Sequence, residues 1–263
     1  QTCVSQTYFA AVVVQPVVGI DFDTRVLNVY RENHPSHDAV CADINHRSRI
    51  VDIIKSYNVD VICGSPPCQD FSMAGLRVEG ERAHLTSVFA DIVTQCRPRI
   101  CIMENVPEMI QSAAFGEFKT KMFAAGYHIL SMIINASFCG VPQTRKRAFV
   151  IASIGPRSVL QALLDKASRL RENAPCTPRH VMPDIANTFQ VATRNTNTPV
   201  VVSADRPVAT LLRSCARTVN PATYYTHPRD AGPIKNAARL TVWQLGMLSG
   251  FPRDYKWPAA RAV

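Results

Sequence analysis

Val59-Asp60-Val61-Ile62-Cys63-Gly64-Ser65-Pro66-Pro67-Cys68-Gln69 opens as a short β-branched run and closes as a loop stiffened by two prolines. The run reads as a strand, which puts Cys68 just beyond that strand's carboxyl end on a backbone with few conformations. A structural cysteine gains nothing from such stiffness. A nucleophile does, because less entropy is lost in reaching the attacking geometry. By itself the motif leaves both roles open.

The same rhythm repeats on either side. Val17–Ile20, Arg99–Met103 and Ala148–Ala152 read as further strands, and Thr24–Asn33, Ile50–Tyr57, Leu85–Cys96 and Phe115–Ala125 as helices. Such alternation implies an α/β fold with a doubly wound, mostly parallel sheet, whose ligands gather beyond the carboxyl ends of the strands. Glu104-Asn105-Val106 follows the Arg99 strand, 36 residues after Cys68, a separation that suits one βαβ unit. If the two strands are neighbours, about 4.8 Å apart, their loops open on one edge. Thiol and carboxylate then address one small planar substrate. Gln143-Thr144-Arg145-Lys146-Arg147 precedes the Ala148 strand. Alternation puts Arg145 and Arg147 on one face, able to fork onto a carbonyl oxygen, a carboxylate or a phosphate; a basic strand edge that discourages aggregation has the same pattern.

A chain of 263 residues suffices for one large domain, or for one domain with a small appendage. Beyond Gly155, Pro, Asn, Thr and Arg become frequent and strand signals weaken. A first domain is therefore expected over 1–155, a small, irregular, basic region over 156–235, and a C-terminal segment over 236–263 that returns to the first domain with a helix at Leu240–Ser249. Lys and Arg number 29 against 20 Asp and Glu, a net charge of +9 that favours a polyanionic partner. Arg157, Lys166, Arg169, Arg171, Arg179 and Arg194 read either as solvated surface or as phosphate contacts. No apolar run approaches the ~20 residues that span a bilayer. Phe9–Val14 ends at Gln15-Pro16 without the basic flank of a secretory signal, so an intracellular, cytoplasmic protein is expected. Nine cysteines lack the paired spacing of zinc sites, and their odd number fits a complete disulfide framework poorly. No metal is expected, and Cys3, Cys41, Cys63 and Cys101, all in apolar runs, are expected to be buried reduced thiols.

Pro66-Pro67-Cys68-Gln69-Asp70-Phe71-Ser72, then Met103-Glu104-Asn105-Val106-Pro107, then Gln143-Thr144-Arg145-Lys146-Arg147 resemble, in this order, the catalytic signatures of the DNA cytosine-5 methyltransferase family, bacterial type. The resemblance runs from about Val17 to Ala152 and resumes from about Arg206 to Trp257. It implies a class I S-adenosylmethionine-dependent methyltransferase fold with a small irregular DNA-recognition domain over 156–235, whose return segment starts at about 206. It also implies an activity: methyl transfer from S-adenosylmethionine to carbon 5 of a flipped-out cytosine in a specific duplex sequence, through a covalent Cys68 adduct. On this resemblance Cys68 attacks carbon 6, its thiolate favoured by nearby positive charge. Glu104 gives a proton or hydrogen bond to ring nitrogen 3, Arg145 holds the base's carbonyl oxygen, and Arg147 organises Glu104 and its loop. Flipping is required because a stacked base cannot offer its face to a thiol. The loop from Ser72 to His84, with Gly75, Arg77, Gly80 and Arg82, would close over DNA. Gln69, Ser72, Arg77, Arg82, Gln143, Arg194 and Asn195 are the expected DNA contacts, with Arg194 and Asn195 at base edges in the major groove.

Gly19-Ile20-Asp21-Phe22-Asp23 places an acid just after a strand, where a carboxylate accepts hydrogen bonds from ribose hydroxyls. Matched to the family, Asp21 binds the ribose, Phe22 stacks on adenine, Asp43 and Ile44 meet the adenine edge, and Pro67 and Leu85 complete the wall. Generic capping is a second explanation of Asp43, behind the cofactor role. The sequence departs from the family in two segments that normally touch the cofactor. No glycine precedes Gly19, where a glycine-rich loop belongs, and only Ala259-Ala260-Arg261-Ala262-Val263 stand where a Gly-Asn-Ala-Val type of segment follows. Because both fall on one pocket while every catalytic signature is present, residues missing from this chain are the expected cause. Two other functions remain open, an RNA cytosine-5 methyltransferase and a catalytically dead DNA-binding regulator on the same fold. The expected partners are double-stranded DNA and a cognate restriction endonuclease, with the protein itself a monomer.

Overall fold

Strand and helix alternate from the first residues described. The computed structural model describes residues 15–67, 84–169, 172–191, 200–211, 230–233 and 236–257. In chain order these form β1 (Val18–Asp21), α1 (Thr24–Asn33), β2 (Asp38–Cys41), α2 (Arg47–Ser56), β3 (Val61–Gly64), α3 (His84–Cys96), β4 (Ile100–Asn105), α4 (Ala113–Ala124), β5 (His128–Asn135), β6 (Gln143–Thr144) and β7 (Lys146–Ser153). Then come α5 (Arg157–Arg169), α6 (Pro178–Val181), β8 (Thr188–Val191), β9 (Val200–Ser203), β10 (Val208–Ala209), β11 (Ala238–Arg239) and α7 (Val242–Leu248). They fall into two compact units, one reaching to Ile134 and including Lys146–Ser168, the other made of Asn135–Arg145 and the residues from Arg169 onward.

In the first unit β1 pairs in parallel with β2, and a second sheet has the order β3-β4-β7-β5. β3 and β4 are parallel neighbours, with Val61 opposite Ile100 and Gly64 opposite Met103, the adjacency that the strand–helix–strand spacing leaves open. β7 runs antiparallel to β4, with Cys101 opposite Ala152 and Met103 opposite Val150. Period-2 alternation turns Cys101, Met103, Ala148, Val150 and Ala152 to one face, where each is fully buried. Apolar residues of α3 and α4 cover that core, and Phe118 stacks between Phe89 and Phe115 with ring centroids at 6.5 and 6.0 Å.

Local chemistry sets the helix ends. Asp23 caps α1 by accepting from the Arg25 N–H at 2.9 Å, and the paired Arg25 guanidinium holds its carboxyl at about 2. Ser112 caps α4 by accepting from the Phe115 N–H at 3.1 Å, and Gly126, at φ +85°, follows the end of that helix. Asp91 of α3 ties its neighbours together, pairing with Arg47 of α2 and Lys121 of α4.

The second unit carries more regular structure than its Pro- and Asn-rich composition suggests. β8 and β9 pair antiparallel, β11 joins β8 in parallel, and β10 pairs in parallel with β6. Met182, Ile185, Phe189, Val191, Val200, Val208, Leu245 and Leu248 form its core. The sequence-predicted helix at Leu240–Ser249 is α7, started by Thr241 accepting from the Gln244 N–H.

The expectation that Cys41 and Cys63 are buried is corrected here. Both are exposed, because Cys41 ends β2 and Cys63 faces away from the core that receives Ile62, whereas Cys101 is buried. Burial pushes the Cys101 thiol far above its ordinary range, so it stays a neutral packing residue. Cys3 lies outside the described residues.

Gly64 is the tightest point behind β3. A Cβ there would stand 2.4 Å from Phe89 Cε2 and 2.5 Å from its Cζ, and that ring is buried and stacked. Gly64→Ala is expected to lower stability by about 1–3 kcal/mol, read from the urea midpoint at unchanged slope. An unshifted midpoint would mean that Phe89 moves aside freely.

Candidate active site

The 39-residue offset between β3 and β4 continues one residue past the strands, so Ser65 stands beside Glu104. The Ser65 hydroxyl donates to Glu104 Oε2 at 2.6 Å, and Arg147 Nε lies 3.0 Å from Oε1. Both carboxylate oxygens are therefore held, one by a cation and one by a neutral hydroxyl. Arg147 is itself steadied by donating from Nη1 to the Lys146 carbonyl at 2.7 Å. Glu104 and Arg147 side chains remain 28% and 19% exposed, open to a substrate yet shielded beyond the level of an ordinary surface pair.

Asn105 performs the structural half of the same junction. Its side chain is buried, donating from Nδ2 to the Pro66 carbonyl at 3.3 Å and accepting from the Val106 N–H at 2.8 Å. The segment leading to Cys68 is thus fastened to the end of β4 at two successive residues, with Phe89 packed behind Gly64. Cys68, Gln69, Ser72, Arg77 and Arg82 lie outside the described residues.

A second cluster sits at the carboxyl ends of β1 and β2. Asp21 is opposite Cys41, the Ala42 N–H donates to the Asp21 carbonyl at 3.1 Å, and the Cys41 thiol reaches the Phe22 carbonyl at 3.6 Å. Asp21 Oδ1 accepts from the Asp23 N–H at 2.9 Å, which fixes the carboxylate, while Phe22 is 73% exposed. Asp43 accepts from the Asn45 N–H at 2.9 Å, the local turn that its sequence also explained. Ile44 and Leu85 are partly buried against the core, and Pro67 is exposed where Pro66 is buried. An exposed ring on a rigid strand end, beside acids able to accept from hydroxyls, fits an adenosine group. The structure brings Asp21, Phe22, Asp43 and Ile44 to one strand-pair edge and Ser65, Glu104 and Arg147 to another.

The alternation expected through the arginine motif is interrupted at Arg145. β6 ends at Thr144 and β7 begins at Lys146, leaving Arg145 in the second unit and Arg147 in the first. The Arg145 backbone donates to the Gln143 carbonyl at 2.8 Å and accepts from the Ala136 N–H at 3.0 Å.

Gln143 does not match its expected role as a DNA contact. The residue is 2% exposed, its Nε2 donates to the Leu248 carbonyl at 3.2 Å, and its Oε1 accepts from the Leu211 N–H at 3.4 Å. Both ends of the amide are used inside the unit, where they join β6, the segment after β10 and the end of α7. Arg179 is likewise committed, with Asp205 Oδ1 at 2.6 Å from its Nε and Asn187 at 2.8 Å. That carboxylate raises the guanidinium's proton affinity. Arg157, Lys166 and Arg169 are exposed on α5, while Arg171, Arg194 and Asn195 lie outside the described residues.

A held carboxylate at the end of a parallel strand, on the loop edge that leads to a cysteine, agrees with the match of residues 6–205 to the model for C-5 cytosine-specific DNA methylases. The chain belongs to that family. As a C-5 cytosine-specific DNA methylase it is an enzyme that methylates cytosine in DNA. Among its relatives, the Type II methyltransferase M.HgiDI of Herpetosiphon aurantiacus is 35% identical over 94% of this chain and 79% of its own length. M.HindV of Haemophilus influenzae is 32% identical over 88% and 76%. The Dnmt2 methyltransferase of S. pombe has the same fold, with a TM-score of 0.66 at 17% identity over 97% of this chain and 85% of that one. Entamoeba histolytica EhMeth matches with a TM-score of 0.63 at 16% identity over 91% and 79%.

Sequence reasoning missed Ser65 and Asn105 as parts of this methylase's site. A signal existed, since the strand offset that aligns Val61 with Ile100 also aligns Ser65 with Glu104, but using it requires the register, which spacing alone does not supply. For Gln143, replacement by Leu is expected to cost about 1–3 kcal/mol for each orphaned backbone partner, measured by thermal or urea unfolding. Unchanged stability with weakened DNA binding would instead restore the DNA-contact role.

Proposed function

We propose that the protein methylates carbon 5 of a cytosine flipped out of duplex DNA, with Cys68 as covalent nucleophile and S-adenosylmethionine as methyl donor. The observation that carries this reading is Glu104, clasped by Arg147 and Ser65 on the edge from which the Cys68 loop departs. A carboxyl so oriented can address ring nitrogen 3 while a thiol from the adjacent loop attacks carbon 6.

The Cys68 thiolate forms a bond to carbon 6, and Glu104 offsets the charge developing on the ring by a proton or hydrogen bond at nitrogen 3. The electron pair gathers at carbon 5. S-adenosylmethionine, when bound, would supply the electrophilic methyl group for that carbon, its S–methyl bond breaking to leave S-adenosylhomocysteine. Loss of the carbon 5 proton to a base, for which water suffices, then returns the electron pair that expels Cys68 as thiolate. Arg145 holds the carbonyl oxygen of the base, and Arg147 keeps Glu104 in its rotamer. Asp21 accepts from the ribose, Phe22 stacks on adenine, and Asp43, Ile44, Pro67 and Leu85 bound the remaining wall.

A duplex buries both faces of the ring, so the reaction needs the cytosine extruded. Gln69, Ser72, Arg77 and Arg82 are assigned to contacts around the extruded base, and Arg194 and Asn195 to base edges. Gln143 is reassigned from DNA contact to bracing the strand that leads into Arg145. The domain assignment keeps catalysis in residues 1–155, target recognition in 156–235 and a returning segment in 236–263. The names of the Type II relatives support a restriction–modification pairing with a cognate endonuclease, acting on DNA in a bacterial cytoplasm. No described helix is long and apolar enough to cross a membrane.

A duplex carrying 5-fluorocytosine at the target, incubated with S-adenosylmethionine, is expected to form a covalent complex that survives denaturation, because the fluorine cannot leave as a proton does. Cys68→Ser should form none and should leave no methylation signal in bisulfite sequencing. Adduct formation by the serine variant would refute the nucleophile; no adduct with the parent protein would favour a binding module. Methylation of transfer RNA in place of duplex DNA would favour the RNA enzyme.

For the cofactor edge, Phe22→Ala is expected to raise KM for S-adenosylmethionine about 10-fold or more, on the scale of one lost stacking contact, with KM for DNA unchanged. Equal KM values for the cofactor would remove Phe22 from the site.

A further inference from the structure

We propose that Ser65 is a positioning residue for Glu104 in catalysis, holding the carboxyl in its productive rotamer whether it is charged or protonated. The inference rests on the reading above, in which Glu104 acts at the cytosine ring.

The side chain is well placed for this task. It follows the last residue of β3, and the parallel register brings its hydroxyl within 2.6 Å of Glu104 Oε2. Arg147 cannot accept from the O–H of a protonated carboxyl, since a guanidinium has donors and no acceptor. A hydroxyl has both. It donates to the carboxylate oxygen in the resting geometry and, by rotating about its C–O bond, accepts from the carboxylic acid O–H when that oxygen carries the proton. Proton movement at Glu104 therefore need not break its link to the nucleophile loop.

The backbone on both sides of Ser65 is fixed independently of this contact. Gly64 is packed against Phe89, and the Pro66 carbonyl is bound by Asn105. Losing the hydroxyl thus removes an orienting contact without freeing the loop. Ser65 is exposed in the protein as described, so water competes for the hydrogen bond and its worth to folding is small. A planar base lying over Glu104 would exclude that water, which strengthens the contact at the stage where orientation matters. The effect belongs in turnover rather than in stability.

The test is a set of single and double substitutions assayed for kcat, for KM of DNA and of S-adenosylmethionine, and for thermal unfolding. Ser65→Ala is expected to lower kcat about 10- to 100-fold, the scale of one hydrogen bond to a charged group, with both KM values and the unfolding temperature little changed. Ser65→Thr, which keeps the hydroxyl, should restore most of the lost rate. In a Glu104→Ala background, Ser65→Ala should cost nothing further, because contacts that act through one group are not additive. An equal loss in both backgrounds, or no rescue by threonine, would overturn the proposal and leave Ser65 a structural residue. Retention of full kcat by Glu104→Ala would instead overturn the role of Glu104 at the ring, an outcome distinct from full activity of Ser65→Ala beside an inactive Glu104→Ala.

Discussion

The parallel pairing of β3 with β4, in the register that sets Gly64 against Met103, is the constraint from which the rest of the catalytic edge follows. Parallel neighbours end on the same side, so the loop after β3 and the loop after β4 emerge together. One residue beyond the ladder the side chains begin to bond to each other, Ser65 to Glu104 and then Asn105 to the Pro66 carbonyl. Slipping the register by one would turn Glu104 to the other face and separate both pairs. The buried face of β4 resists such a slip, because Cys101 and Met103 would have to leave a core in which neither has measurable exposure.

Around this edge the molecule separates rigidity from chemical access. Phe89 fills the space under Gly64 and Asn105 is buried within the junction, whereas Glu104 and Arg147 keep part of their surface open. The β1/β2 edge is arranged in the same way. Its carboxylates accept from nearby backbone N–H groups, and the ring of Phe22 stays uncovered. In the second unit Gln143, Thr144 and the residues after β10 bind one another, with Thr144 Oγ1 donating to the Val208 carbonyl and Thr210 Oγ1 to the Thr144 carbonyl. The chain entering Arg145 therefore arrives on a braced strand rather than a loose loop.

Much of this was legible in the residues themselves. The helix at Thr24–Asn33 has the bounds its periodicity predicts, and the strands at 61–64, 100–105 and 146–153 overlap their β-branched runs because those runs are long enough to outweigh their neighbours. β2, β5 and the strands of the second unit are not evident from the sequence. His128–Asn135 mixes polar and apolar residues without clean alternation, and Thr188–Val191 and Val200–Ser203 are short runs among Pro, Asn and Thr. Exposure of Cys41 and Cys63 was missed for a related reason. An apolar run marks a strand but does not say which of its alternate residues meets the core.

The sequence by itself determined the family and the order of the three catalytic motifs. These depend on residue identity and on spacing along one chain, both of which are local. Only the tertiary structure decided that β3 and β4 are neighbours, that Ser65 meets Glu104, that Arg147 holds the second carboxylate oxygen, and that Gln143 turns inward. Each of those depends on register, on burial or on a partner more than thirty residues away in the chain, Leu248 being 105 residues from Gln143. Motif spacing reports how far apart two residues are along the backbone, and only packing selects which of a polar side chain's available partners it keeps once water is excluded.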